Sequence, residues 1–545
     1  MPDAAEQGAQ LPGTPSRSAG PLMSAGRLWP EGRLRPEGRL RPEGVLQAAD
    51  YALLALLLAL TAIKGVLWSA ALPLWQGPDE NRHFAAVQFI AEHGRLPGAE
   101  DIYHDDENVI AAELAEVSRL WYNPGLRQTF GPGDVGPNEA AIAALDPALR
   151  TSTERQKITL ALQLPPLYYV LGVPFYLAVR GGDLLARVYA VRQLSVALAV
   201  VTVGCAFGLA REVFPLRRAL WYTVPLLVSF QPMFTLSCAV VNTDALLIAV
   251  CSALTLLLVR ALKGGLTVRR AALIGLLFGA GLLTKPFILA MLPPLLAVVA
   301  WDVLAPLLAR PAPTPRREIL LARLRRAALA LAVMALATAA VWGGWVGYSA
   351  RQGNSPFYAN PLRIGQLELE HPFYDYALGA YLLDYSRSLL GGTWVTLWAD
   401  FGWIEAPLDT GYYLGLYAVA ALALAGLVIE GVRVRTLRVR TLRAGTKGAR
   451  AEVGLLAFLA LCVVSVVGTL GAINFYSWRT RGVGGGIQGR YYLGAVAPMA
   501  ALLAAGLVNL LPERWRPAGQ FVLGWAAIVL NLVCLFQIVL PRYYL

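Results

Sequence analysis

The stretch YALLALLLALTAIKGVLWSAALPLW, Tyr51 to Trp75, carries a single charge, Lys64. An apolar run of about 20 residues is long enough to cross a hydrocarbon core of about 30 Å as a helix. Lipid offers backbone N–H and C=O groups no partners, so the crossing segment has to be helical. A β-barrel would show short alternating segments, and AALALAGLVIEGV, near residue 420, does not alternate. About 50 residues precede the first run and its length suits a full crossing, so it reads as a membrane anchor and not as a signal peptide.

Working outward, comparable runs recur at about 160–180, 188–210, 219–236, 241–261, 270–303, 327–348, 411–430, 453–473, 491–511 and 518–540. The expected fold is therefore an all-α polytopic membrane protein of about 11 transmembrane helices, within a range of 10–13. Composition agrees: 57% of the 545 residues are hydrophobic and 15% charged, against roughly a quarter charged in soluble domains. The net charge of +12 does not indicate nucleic acid, because the cations cluster between the apolar runs, as orientation signals do.

Arg27, Arg33, Arg35, Arg39 and Arg41 place the N-terminus in the cytoplasm, so the chain emerges outside near Gln76. Residues 1–48, rich in Arg, Pro and Gly, repeat GRLWPE, GRLRPE, GRLRPE and have no apolar face to bury. They read as a disordered cytoplasmic tail, with a membrane domain over 49–545. Clusters at Arg310 to Arg326, Arg433 to Arg450, and Arg514 with Arg516 mark inside loops. Residues 76–159 and 349–410 become two long external loops carrying interfacial helices. Counting 270–304 as one crossing keeps the parity but leaves Arg211, Arg217 and Arg218 outside, against the rule. The five cysteines lie in apolar stretches without metal-ligand spacing and read as packing residues.

Chemistry concentrates where the chain leaves the membrane. GPDENRHF, Gly77 to Phe84, sets Asp79 and Glu80 beside His83 just outside the first span. A carboxylate in a partly enclosed site of low dielectric suits a general base. Asp79 is equally placed to cap a helix running from Glu80 to about Glu92. Tyr168 lies at interface depth behind Pro165 and Pro166; Asp244, after Asn242 and Thr243, reads as the cap of the next helix. Lys285 sits at membrane depth before Pro286, where a break could line a cavity. In NFYSWRTRGVGGGIQGRYY, Asn474 to Tyr492, Arg479, Arg481 and Arg490 stand among glycines and near Gln488, a composition suited to holding an anion.

These motifs in this order resemble the GT-C superfamily of polytopic membrane glycosyltransferases. The nearest likeness is to a bacterial branch related to protein mannosyltransferases and aminoarabinose transferases. The resemblance rests on Pro78, Asp79, Glu80, His83 and Phe84; on Pro165, Pro166, Leu167 and Tyr168; on Thr284 and Lys285; on Phe401, Gly402 and Trp403; and on Gly489, Arg490 and Tyr491. It covers about residues 50 to 540. Gly77, Asn81 and Arg82 depart from the usual pattern and leave the acidic pair intact.

The resemblance implies an inverting glycosyltransferase of the bacterial inner membrane, active on the external or periplasmic face in assembling cell-envelope glycan or glycolipid. The donor would be a polyprenyl-phosphate-linked sugar, the acceptor a glycan, lipid or protein. Asp79 would be the base and Glu80 its assistant or a sugar ligand. His83, Tyr168, Lys285, Arg479, Arg481, Gln488 and Arg490 are the expected substrate-binding residues; their charge, and not the family pattern, puts Arg490 first among the cations on the leaving phosphate, with Arg479, Arg481 and Lys285 behind it. Some relatives hold a divalent metal on acidic residues of the first external loop; Asp79 and Glu80 offer such a pair for Mg or Mn, and nothing in the sequence demands it. The rival reading is a polytopic transporter or flippase, which would need its site at the membrane midplane.

Overall fold

The computed structural model describes residues 33–34, 40–41, 47–120, 135–159, 161–308, 316–357, 378–440, 444–481 and 488–544. The expected tail, residues 1–48, lies outside them apart from six residues. Among the described residues the protein is an all-α polytopic membrane protein, with strands confined to two-residue pairs such as Asp400–Phe401 against Ala406–Pro407. Nine helices among the described residues are long and apolar enough to cross a membrane: Ala48–Ala71, Leu184–Val213, Thr243–Gly264, Pro286–Leu307, Arg316–Arg351, Thr410–Val434, Ala451–Phe475, Gly489–Leu510 and Glu513–Tyr544. Several turn whole rows of large apolar side chains outward, as Leu53, Leu56, Leu60, Ile63 and Leu67 do on the first, which is the surface a lipid solvent requires.

Two expected crossings need correction, and the corrections offset. The run at 160–180 is a 12-residue helix, Leu167–Ala178, about 18 Å long at 1.5 Å per residue and so too short for the hydrocarbon core. It runs in parallel beside Glu80–His93: Tyr169 meets His83, and Tyr176 meets Gln88 and Glu92. It buries Tyr168, Tyr169 and Tyr176 against protein and leaves Val170, Leu171 and Leu177 exposed, and the apolar run alone does not show that the helix stops short. The run at 270–303 is two helical pieces, Val268–Leu282 and, after extended Lys285, Pro286–Met291 leading into Leu292–Leu308. Leu220–Ser229 is short as well, but continues after a break into Pro232–Ser237. That broken rod follows the first span from Asp50 beside Arg218 and Tyr222, through Thr61 at Ser229, to Gly77 at Val240. Adding it and Val268–Leu282 to the nine long helices gives eleven crossings among the described residues.

The recount removes the charge conflict. Arg217 pairs with Glu452 at 2.8 Å, Arg218 with Asp50, and Glu212 with Lys263 at 2.6 Å, so these cations share one end of the bundle. The other end gathers the first long loop, residues 240–242, the break at Lys285, and the start of the 489–510 span. Tyr348 donates there to the carbonyls of Leu96 and Pro97, and Trp403 Nε1 to that of Trp75.

At that end the loop is fastened by buried ion pairs. Arg192, fully buried, grips both oxygens of Glu80 at 2.7 Å and donates to the carbonyls of Ser69, Leu72 and Pro73. Arg187 grips Glu107 at 2.5 Å and reaches Gln88 at 2.8 Å. With all their polar atoms engaged, such pairs fix a geometry; removing one partner strands a buried charge at about 3–5 kcal/mol. Gly77 fits the same joint: a Cβ there would stand 2.6 Å from Val240 Cγ1.

Candidate active site

Asp79 occupies the N-cap position of Glu80–His93, but its backbone is left-handed, φ 60° and ψ 12°, and its side chain caps nothing. Positive φ is uncommon outside glycine, though aspartate is among the residues that tolerate it. The conformation frees the carboxylate for the far end of the chain. Its Oδ2 accepts from Arg490 Nη2 at 2.9 Å and its Oδ1 from Arg82 Nη1 at 3.2 Å. Arg490 is held in place by the turn Gly489–Ala495, where Gly489 N–H donates to Thr396 Oγ1 at 2.7 Å. A Cβ on Gly489 would stand 2.0 Å from Leu397 N, so the backbone approach there needs glycine.

Asp244 joins the same cluster. The helix Thr243–Gly264 is capped by Asn242, whose Oδ1 accepts from Asp244 N–H at 2.8 Å, so the expected capping role passes to its neighbour. The Asp244 carboxylate instead accepts from Lys285 Nζ at 2.5 Å, and its other oxygen lies 3.8 Å from Arg490 Nε. Lys285 and Arg490 both stand over the Tyr491 ring, at 4.9 and 5.2 Å, an attraction that orients cations. Asp79 remains 30% exposed and Lys285 22%, while Arg490 and Asp244 are 4% and 3%. An incoming molecule would thus meet the carboxylate and the ammonium first.

The other expected site residues are placed differently. Glu80 is fully buried, and besides Arg192 it accepts the Val241 N–H at 3.0 Å; it is a structural strut of this joint. Tyr168 is buried with its hydroxyl 2.7 Å from Ser195 Oγ and accepting Asn242 N–H at 3.1 Å, so it supports the Asn242 turn. His83 Nδ1 lies 2.9 Å from the Tyr169 hydroxyl. Gln488 is partly exposed and caps the Arg490 turn by position without a side-chain bond. Arg479 and Arg481 are on the last turn of Ala444–Arg481; their side chains, and residues 482–487 of the glycine loop, lie outside the described residues. In the sequence Asp244 reads only as a cap and Tyr491 only as part of a motif, while Arg192 does not stand out as a candidate. For Arg192 the signal was present, an arginine inside an apolar run.

The electrostatics follow from this packing. Burial raises Asp79, but the charges of Arg490, then His83 and Arg82, outweigh it and hold the carboxyl below its usual range. Burial pushes His83 down to about 4, against the pull of Asp79, so the ring is neutral near pH 7. A divalent metal finds no open acidic pair here: Glu80 is closed by Arg192 and Asp79 is flanked by two guanidiniums. No group of three acidic, His or Cys side chains suited to a metal occurs among the described residues.

Beside the cluster, an apolar cavity of about 860 Å³ lies between helices, lined by Phe230, Trp394, Leu397, Gly415, Leu493 and Leu530 among others. Leu493 shares the turn that carries Arg490.

Residues 62–503 match the family model described as predicted membrane protein, DUF2142. The chain belongs to this family. No curated protein matches it in sequence. Among solved structures, this DUF2142 member is similar to ArnT from Cupriavidus metallidurans in the apo state, at 13% identity and TM-score 0.43, covering 91% of this chain and 74% of ArnT. The form of that ArnT bound to undecaprenyl phosphate gives 14% and 0.42, with the same coverage. The archaeal oligosaccharyltransferase AglB from Archaeoglobus fulgidus, in complex with an inhibitory peptide and a dolichol-phosphate, gives 14% and 0.47; 91% of this chain and 56% of AglB are covered. All stand below a TM-score of 0.5, and no residue role passes from them to the DUF2142 chain.

Proposed function

We propose that this protein is an inverting membrane glycosyltransferase that moves a sugar from a polyprenyl-phosphate carrier to an acceptor outside the cell membrane. The observation that carries the reading is the ion pair between Asp79 and Arg490 at 2.9 Å, within one cluster with Lys285 at one end of the bundle. The opposite end holds Arg217, Arg218 and Lys263, with Arg323 near Asp302. Positive charge favours the cytoplasmic side, and this supports a cluster on the external side. A transporter's site would lie at the midplane.

In the step proposed, the acceptor hydroxyl oxygen attacks the anomeric carbon and its proton passes to Asp79. The bond from that carbon to the phosphate oxygen breaks, and the electron pair leaves with the phosphate. A single displacement inverts the carbon. Arg490 and Lys285 supply fixed positive charge where negative charge grows. A base tied to arginine is weak, because its proton affinity is low. A phosphate taking Arg490 for itself removes that counter-charge, and the proton affinity of Asp79 rises as the donor seats. The apolar cavity beside the Arg490 turn suits the hydrocarbon of the carrier. The donor sugar and the acceptor are not specified by these side chains.

The test is transfer from labelled polyprenyl-phosphate sugars in membranes containing wild-type protein or Asp79→Asn. Loss of transfer with normal membrane accumulation is expected; undiminished transfer by the variant refutes the role of Asp79.

A further inference from the structure

Asp244 has no part in the step just described, yet it is a carboxylate 3% exposed between two cations that come from other helices. Its local duty is already discharged: Asn242 caps the helix, and the Asp244 backbone N–H is the bond that cap receives. The carboxylate itself turns to Lys285, 41 residues away, at 2.5 Å. Lys285 stands on one extended residue between two helical pieces, φ −162° and ψ 136°, so its backbone neighbours do not aim its long stem. The second oxygen of Asp244 faces Arg490 Nε across 3.8 Å, and neither atom has a hydrogen-bond partner among the described residues.

We infer that Asp244 is a positioning residue that aims Lys285 and Arg490 together at one phosphate anion. The inference rests on the reading of the cluster as the seat of a lipid phosphate. Arg490 presents two sides: its Nη2 goes to Asp79 and its Nε toward Asp244. When a phosphate oxygen replaces Asp79 on the guanidinium fork, Asp244 remains as the fixed counter-charge behind it. The guanidinium then stays in place instead of following the ligand. The same carboxylate keeps the Lys285 ammonium over the Tyr491 ring, which Arg490 also approaches. Two cations gathered on one carboxylate, one of them buried, repel each other unless an anion lies between them. Asp244 fills that place before the substrate arrives, so the seat is formed in advance and the phosphate does not have to assemble it.

The sign of one binding measurement separates this role from its alternative. A carboxylate that merely lies near a phosphate repels it, so removing the charge tightens binding. A carboxylate that aims the cations does the opposite. Full-length protein in nanodiscs of zwitterionic lipid is titrated with undecaprenyl phosphate, with the uncharged polyprenol and with inorganic phosphate, for wild type, Asp244→Asn and Asp244→Glu. The expected result is binding of undecaprenyl phosphate weakened by about tenfold in Asp244→Asn, recovery of most of the loss in Asp244→Glu, and unchanged binding of polyprenol. Inorganic phosphate that follows the same order assigns the effect to the headgroup; a change confined to the lipid phosphate assigns it to the headgroup held at membrane depth, and both support the role. Equal or tighter binding of undecaprenyl phosphate by Asp244→Asn, or an equal loss for polyprenol, overturns it.

Should Asp244→Asn fail to fold, Lys285→Met probes the tie from the other end: affinity for undecaprenyl phosphate falls by about tenfold, and unchanged affinity overturns the inference. Binding requires no turnover. A wild-type chain that binds the lipid phosphate and transfers no sugar sinks the transferase reading and leaves the role of Asp244 standing. A wild type that transfers, with an Asp244→Asn variant that binds as well as it does, sinks the inference alone.

Discussion

Asp79 and Arg490, 411 residues apart in sequence, meet at 2.9 Å through Oδ2 and Nη2. The contact unites the exit of the first span with the entry of the 489–510 span. It also puts the Asp79 carboxylate in competition with any entering anion for the guanidinium.

If Asp79 removes the proton, replacing it by Asn lowers transfer by about 100-fold or more, the usual worth of a positioned base. Asp79→Glu, with its base displaced by one methylene, should fall between the two. Initial rates with a labelled lipid-linked sugar, normalised to folded protein, measure both.

Arg490→Lys keeps the charge and loses the planar fork, so it should cost kcat by about 100-fold, comparable to losing one fixed donor to a developing oxyanion. The check is a steady-state comparison with Arg490→Gln. If Lys restores wild-type turnover, point charge suffices and the fork is irrelevant.

Glu80 behaves as part of the fold. Arg192→Met leaves Glu80 buried without its partner and should destabilise by about 3–5 kcal/mol. Combining it with Glu80→Gln should regain a large part. Thermal unfolding in detergent reads this directly, and a neutral Arg192→Met would contradict the strut.

His83 supplies a pH signature. Its folded pKa of about 4 lies below the ordinary 6.5, so between those values the unfolded chain binds more protons and stability falls as the pH drops from 6.5 to 4. The groups acting on it are Asp79, Asp244, Lys285 and Arg490. His104, also pushed to about 4 by burial, adds to the trend, whereas Asp105, raised by burial to about 7, opposes it. The diagnostic quantity is therefore a difference: His83→Gln should show a shallower decline in Tm over that window than wild type, and parallel curves would exclude the buried neutral ring.

Gly415 lines the apolar cavity, with open space where a Cβ would stand. Gly415→Trp should fit without unfolding the bundle and fill the cavity, raising KM for a long-chain donor more than for a short-chain one. Equal effects on both chain lengths would remove the cavity from the carrier's path.

Much of this was legible because hydropathy reports burial in an apolar surrounding, and that is also where it failed. Tyr168, Tyr169 and Tyr176 lie in a helix packed on protein, yet their segment has the hydropathy of a crossing. At Lys285 a break of three residues divides one apolar run into two helices, which no average over a window separates. Asp79, Lys285 and Arg490 stood out because charge at a membrane boundary is scarce. Asp244 did not, since an acid at a helix start has an ordinary explanation; only the side chain of Asn242 shows that the cap belongs to another residue. Glu80 looked like the twin of Asp79 because neighbours in sequence look equivalent, while the turn at Asp79 points the two carboxylates to different partners.

The grip of Arg192 on the carbonyls of Ser69, Leu72 and Pro73 and on Glu80 separates what can drift from what cannot. Because Asp79 stands within that clasp, one residue before Glu80, its coordinates are inherited from the trunk of the molecule and owe little to the canopy after residue 94. Lineages, or engineers, could therefore exchange the canopy while the corner at Asp79 stays where it was.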